Sequence, residues 1–149
     1  MNAKKILFPT DFSHTGDAAL EFAASLTKEN SGRLLIVHAE EPPLAYGGGE
    51  MYYGIPEPTL DELTGMLNAI KPVDPSVPVE HRLITGDPVD AVVRLCEEEE
   101  IDLVVLGSHG RTGLTRVLMG SVAEGIVRKA PCPVLVFKQP ARNPVAAIK

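Results

Sequence analysis

Ile101-Asp102-Leu103-Val104-Val105-Leu106-Gly107-Ser108-His109-Gly110 is the stretch that decides the fold. Its centre, Leu103 to Leu106, is apolar without alternation, entered from an aspartate and left through a glycine. A short unbroken apolar run is how a parallel strand covered on both faces reads. Outward along the chain, Leu34-Leu35-Ile36-Val37 and Val134-Leu135-Val136-Phe137 have the same character, and Lys5 to Pro9 and Val77 to Ile84 bring the apolar runs to five.

Helical periods fill the gaps between these runs. Ala18, Ala19, Phe22, Ala23 and Leu26 recur at three- and four-residue steps and predict one apolar stripe. Leu60, Leu63, Leu67 and Ile70 form a second, stopped by Pro72. Val89, Val92, Val93 and Cys96 form a third, entered through a Pro88 suited to a first helical position. Val122, Ile126, Val127 and Ala130 form the last, stopped by Pro131 and Pro133. Strand and helix alternate from end to end, which predicts an α/β fold with a parallel sheet and right-handed crossovers.

A chain of 149 residues suits one domain. At 44% hydrophobic and 23% charged, its composition is that of a packed globule. No window approaches the roughly 18 uncharged apolar residues of a membrane-spanning helix. The opening Lys4-Lys5-Ile6-Leu7-Phe8-Pro9 is too short for a signal-peptide core and no small-residue cleavage site follows, so the expected location is the cytoplasm. Fourteen basic against 20 acidic residues leave a net charge of −6, which repels phosphate backbones and anionic membranes. Neither a nucleic acid nor a membrane is expected as partner. Cys96 and Cys132 lie in apolar contexts without metal-type spacing and are expected to be reduced, buried thiols. Residues 41–58 are too rich in Gly and Pro for a regular element, and a loop longer than about 12–15 residues is usually functional or mobile. The tail 139–149 has no period and is expected to fray.

In an open parallel sheet, ligands sit beyond the carboxyl ends of the strands, where the strand order reverses. The segments to read are therefore Pro9-Thr10-Asp11-Phe12-Ser13, His38-Ala39-Glu40 and Gly107 to Gly113. Gly107 and Gly110 let backbone amides approach a ligand with no Cβ in the way. Gly120-Ser121-Val122 opens the final helix, whose N–H groups and partial positive charge make an anion seat. The Ser121 hydroxyl either caps that helix or donates to a phosphate oxygen. Ordinary turn and capping chemistry accounts for the same glycines and serine. The segment has no Gly-Lys-Ser or Gly-Lys-Thr, and its glycines follow the fourth strand rather than the first, so it is neither a Walker loop nor a dinucleotide fingerprint. Asp11 alone reads as a helix cap or an Asx turn. His109 reads as a loop residue, and Arg111 and Arg116 are within reach of phosphates or simply solvated. His14, His38 and His81 fall in separate elements, and no metal cluster is expected.

Gly107-x2-Gly110-x9-Gly120-Ser121 resembles the ATP-binding motif of the universal stress protein family, in its nucleotide-binding branch. The resemblance covers nearly the whole chain: the Lys5-Ile6-Leu7-Phe8-Pro9-Thr10-Asp11-Phe12-Ser13 start, the Gly86-Asp87-Pro88 turn, Gly107-Ser108-His109-Gly110, and the closing Ala130-Pro131-Cys132-Pro133-Val134-Leu135-Val136. It implies a single Rossmann-like domain of the adenine nucleotide alpha hydrolase kind over residues 1–138, with five parallel strands in the order 3-2-1-4-5 and a tail beyond. It implies ATP across the first and fourth strand ends, with Pro9, Thr10 and Asp11 at the ribose and adenine end. Ala39 stands where relatives often place valine against the adenine, which leaves that pocket roomier. Gly107 would approach the ribose and α-phosphate; Gly110, Gly120, Ser121 and the Val122 amide would hold the phosphates, with Ser108, His109 and Arg111 in the same loop. Mg or Mn would be held mainly by phosphate oxygens. A homodimer through the Val134–Phe137 edge strand is implied as well, and a long apolar edge invites such pairing.

Hydrolysis would need a positioned water, an orienting group and charge stabilisation at the γ-phosphate. The motif loops lack a lysine, no Glu or Gln is placed to orient water, and only Ser108, His109 and Arg111 remain as candidates. The expectation is an ATP-binding regulatory protein of the stress response with slow or no turnover, and whether it is an enzyme stays open. One alternative is an ATP-using enzyme of a related nucleotide-binding α/β fold. Such enzymes typically carry a Ser-Gly-Gly-x-Asp-Ser loop after the first strand, where this chain has Thr10-Asp11-Phe12-Ser13. The other is an interaction module that binds no nucleotide, against which stand the three retained glycines and Ser121.

Overall fold

The computed structural model describes residues 2–13, 17–41, 58–108 and 120–138. Along the chain come β1 (Lys5–Pro9), α1 (Asp17–Glu29), β2 (Arg33–Glu40), α2 (Leu60–Asn68), β3 (Val79–Thr85), α3 (Pro88–Glu98), β4 (Leu103–Gly107), α4 (Ser121–Lys129) and β5 (Val134–Phe137). The strands form one parallel sheet in the order β3-β2-β1-β4-β5. This is the α/β architecture and the strand order expected. Ile6, Phe8, Leu34 and Ile36 face α1 and α2, while Leu7, Leu35, Val37 and Val104 face α3 and α4. Both faces are covered, which is why the central strands show no polar alternation.

The order reverses between β1 and β4, and there the ladder is short. Paired residues run from Lys5↔Arg33 to Pro9↔Val37 on the β2 side, but stop at Leu7↔Val104 on the β4 side. Backbone bonds from Arg33 to the Lys4 carbonyl and from Thr10 to the Val37 carbonyl show that even-numbered residues of β1 turn to β2. Pro9 therefore turns to β4, where it has no N–H to give. The two strands part beyond it.

Two helices bury a face other than the one their periodicity suggested. In α1 the buried stripe is Ala19, Leu20, Ala23, Ala24 and Thr27, with the Thr27 hydroxyl donating to the Ala23 carbonyl at 2.8 Å. Small side chains let α1 lie close to the sheet, and the bulkier Phe22 swings to its edge, its ring centroid 5.4 Å from that of Phe137. In α4, Ala123 and Ile126 are buried while Val122 and Val127 are each 41% exposed. Gly125 explains the roll of this helix, since a Cβ there would lie 2.6 Å from Val89 Cγ2 of α3. Helix α3 starts as its sequence suggested: Pro88 opens it, and the Asp87 carboxylate accepts from the Val89 and Asp90 N–H groups, both at 3.1 Å.

At the amino end of the sheet, Asp102 Oδ2 accepts from the Lys4 and Lys5 N–H groups, each at 2.9 Å. Arg33 and Arg82 there meet Glu80 and Glu99, and the Arg82 guanidinium holds the Glu99 carboxyl below its ordinary range. This polar belt ties the strands together and leaves the carboxyl end to the site. Among the described residues no helix is long and apolar enough to cross a membrane.

Candidate functional site

Where β1 and β4 part, a cavity of about 380 Å3 opens beyond the carboxyl ends of β1, β2 and β4. It is the crevice at the switch point of an open parallel sheet. Of the residues singled out in the sequence, Pro9, Thr10, Asp11, Ala39, Gly107, Gly120, Ser121 and Val122 line it. The fold thus gathers into one wall segments more than a hundred positions apart. Ser108 stands behind that wall: it is 3% exposed, its N–H donates to the Phe137 carbonyl at 3.1 Å, and its own carbonyl accepts from the Gly120 N–H at 2.7 Å. It fastens the start of α4 to the end of β4. His109, Gly110 and Arg111 lie outside the described residues, as do His14, Arg116, most of the 41–58 loop and the 139–149 tail.

Each end of the cavity has its own chemistry. At the β1 end, Thr10 Oγ1 accepts from the Phe12 N–H at 3.0 Å and Asp11 Oδ1 accepts from the Ser13 N–H at 2.9 Å. The Asx turn is therefore real, and Asp11 also lines the cavity. At the other end Gly120 is the residue before α4, with φ −67° and ψ 160°, and among the described residues no side chain caps the helix. Ser121 is the first helical residue, so its hydroxyl is not the cap that one sequence reading allowed. A helix start without a side-chain cap presents the positive end of its dipole to the cavity.

Much of the lining is apolar: Val92, Leu106, Ala123 and Ile126 come from the α3–α4 side of the sheet, and Phe8 from β1. Val92, Leu106 and Ile126 escaped the sequence reading because their pattern marks them as core, and Ala123 because it lay outside the stripe read along α4. Pro88, Ser13 and His38 line the cavity as well. The Gly86-Asp87-Pro88 turn was the signal for the first, and the end of the second apolar run was the signal for His38, which the structure keeps inside β2. An apolar pocket with a few convergent polar groups suits a flat aromatic ring that carries a polar tail. Among the described residues no three His, Cys, Asp or Glu side chains converge in a way that could hold a metal ion.

A model of the Universal stress protein family matches residues 2–138. Universal stress protein MJ0531 of Methanocaldococcus jannaschii is 32% identical over 144 residues, spanning 94% of this chain and 85% of the relative. Among solved structures, that of MJ0577 from the same organism superposes with a TM-score of 0.71 at 27% identity, covering 94% of this chain and 99% of that one. A universal stress protein from Archaeoglobus fulgidus, solved in complex with dAMP, has the same fold, with a TM-score of 0.60 at 20% identity over 91% of this chain and 98% of that one.

Proposed function

The chain belongs to the universal stress protein family, and from that premise we propose that it binds ATP in the cavity between β1 and β4, as a regulatory protein of the stress response. One observation supports the proposal: the start of α4, whose N-cap is a glycine, and a largely apolar lining meet in the same cavity at the switch point. The base lies toward Ala39 at the end of β2 and the ribose beside Asp11. The phosphates lie on Gly120, Ser121 and the Val122 amide, with Gly107 close to the α-phosphate and Gly110, Ser108, His109 and Arg111 completing the loop. From β2 to β4 is two strand spacings, about 9.6 Å, which suits a nucleoside laid across them. The dAMP held by the Archaeoglobus fulgidus protein supports an adenine nucleotide as the ligand class. Mg or Mn, when bound, takes most of its ligands from the phosphates and neutralises their charge.

Micromolar affinity corresponds to about 8 kcal/mol. Charge-assisted hydrogen bonds supply about 1.5–3 kcal/mol each, against an association cost of about 4–15 kcal/mol. Phosphate contacts alone leave a thin margin, so burial of the base against the apolar lining, Val92 and Ile126 among it, is part of the binding. Calorimetric titration of nucleotide-stripped protein with ATP and Mg is expected to show saturable binding that Gly120→Val abolishes. Absence of binding by the wild type would leave the glycines as turn chemistry and point to a nucleotide-free interaction module.

Turnover is proposed to be slow or absent, because among the described residues no lysine, glutamate or glutamine lines the cavity to steady a γ-phosphate or orient water. A multiple-turnover rate at or above about one per second, ordinary for an enzyme, would overturn this and favour an ATP-using enzyme. We place the protein in the cytoplasm and propose that it pairs with a second copy through the outer edge of β5, the last strand of the sheet.

A further inference from the structure

The proposed nucleotide site depends on a turn that is not relaxed. Phe12, between β1 and α1, has φ 68°, the left-handed region that L residues other than glycine enter at a cost. Such a conformation persists where its surroundings over-determine it. The Thr10 and Asp11 side-chain bonds to the Phe12 and Ser13 amides lie within the turn and shape it locally. From outside, the Thr10 N–H donates to the Val37 carbonyl at 2.8 Å, and Phe12 packs against the core beneath α1 and α2. His38 adds two contacts at once: its Nδ1 lies 2.8 Å from the Thr10 carbonyl oxygen, and its ring centroid is 4.3 Å from that of Phe12, tilted by 38°.

A carbonyl oxygen only accepts, so Nδ1 carries the proton and donates, in the neutral ring and in the charged ring alike. Strand alternation puts the His38 side chain on the same face as Leu34 and Ile36, opposite Leu35 and Val37. That is the α1–α2 side, whereas Val92, Ala123 and Ile126 of the cavity lining belong to the α3–α4 side. His38 thus braces the turn from its α1–α2 side and reaches the wall of the cavity that Thr10, Asp11 and Ser13 also line.

We propose that His38 is a positioning residue of the nucleotide site, clamping the turn from Thr10 to Ser13 in the shape that receives the ribose and base. This rests on the nucleotide reading above and adds the residue that shapes its nucleoside end. The test compares His38→Ala with His38→Asn, whose amide N–H falls where Nδ1–H stood. Each is titrated with MgATP and with inorganic tripolyphosphate, which probes the α4 anion seat alone. His38→Ala is expected to weaken ATP about tenfold and to leave tripolyphosphate within about twofold, as loss of one half-buried hydrogen bond with its ring contact implies. His38→Asn is expected to recover most of the ATP affinity. Amide exchange at Phe12 and Ser13, measured without ligand, is expected to quicken in His38→Ala and to slow again in His38→Asn. Unchanged ATP affinity in His38→Ala, equal loss of both ligands, or an Asn variant no better than Ala would each overturn the clamp while leaving nucleotide binding intact. A wild type that bound neither ligand would overturn the nucleotide reading and the clamp together.

Discussion

Cys96 at the end of α3 and Cys132 before β5 pack into the same side of the core, both as free thiols. Sequence spacing had treated them as unrelated, because α3 and the α4–β5 link meet only in the folded chain. Burial, reinforced by the neighbouring Cys132 sulfur, pushes the Cys96 thiol from its ordinary value of 9.0 up to about 12. Burial raises Cys132 as well. The folded state thus keeps a Cys96 proton that the unfolded chain releases, so the stability it contributes is complete below about pH 9 and is lost as pH rises toward 12. Thermal melts across that alkaline window should fall more steeply for the wild type than for Cys96→Ala. In native protein a maleimide should label the half-buried Cys132 first and reach Cys96 only on unfolding, since the thiolate is the reacting form.

Helices α3 and α4 flank the cavity, and their spacing depends on a missing side chain. A Cβ at Gly125 would meet Val89 Cγ2 at 2.6 Å and Cγ1 at 3.0 Å, and a β-branched valine in a helix has little rotamer freedom to yield. Gly125→Ala gains about 1 kcal/mol of helix propensity but incurs an overpacking cost of about 1–3 kcal/mol. The expected net result in urea unfolding is a loss of up to about 2 kcal/mol. Adding Val89→Ala to Gly125→Ala should recover part of that loss, and a strictly additive double variant would show that the two residues do not press on each other. The same close approach turns Val122 and Val127 outward, so the apolar stripe read along α4 in isolation missed its buried face.

For the whole molecule, the outer edge of β5, unpaired with any other strand among the described residues, is the feature with consequences for assembly. The Val104 and Ser108 N–H groups donate to the Pro133 and Phe137 carbonyls, so odd-numbered residues of β5 turn to β4 and Val134 and Val136 turn their backbone outward. Val136→Pro therefore removes only an outward N–H, whereas proline at Leu135 would break the ladder to β4. If two copies pair through this edge, Val136→Pro should shift sedimentation toward a monomer while the melting transition stays cooperative. An unchanged dimer would place the interface elsewhere, with the tyrosines of the 41–58 loop the next surface to probe.

Fold class, strand count and the three segments around the cavity were legible in the sequence, because each rests on a local signal. Unbroken apolar runs mark strands covered on both faces, Pro88 and Asp87 mark a helix start, and glycine after β4 and before α4 marks where backbone must come close. The resemblance supplied the strand order, and with it the switch point at which Pro9 lets β1 and β4 part. Which helix faces are buried, the meeting of Cys96 with Cys132, and the contact of His38 with Thr10 and Phe12 were decided only by the tertiary structure. Each is a through-space encounter between segments far apart in sequence, set by how closely helices can approach the sheet and one another, and periodicity within a single segment carries no term for that distance.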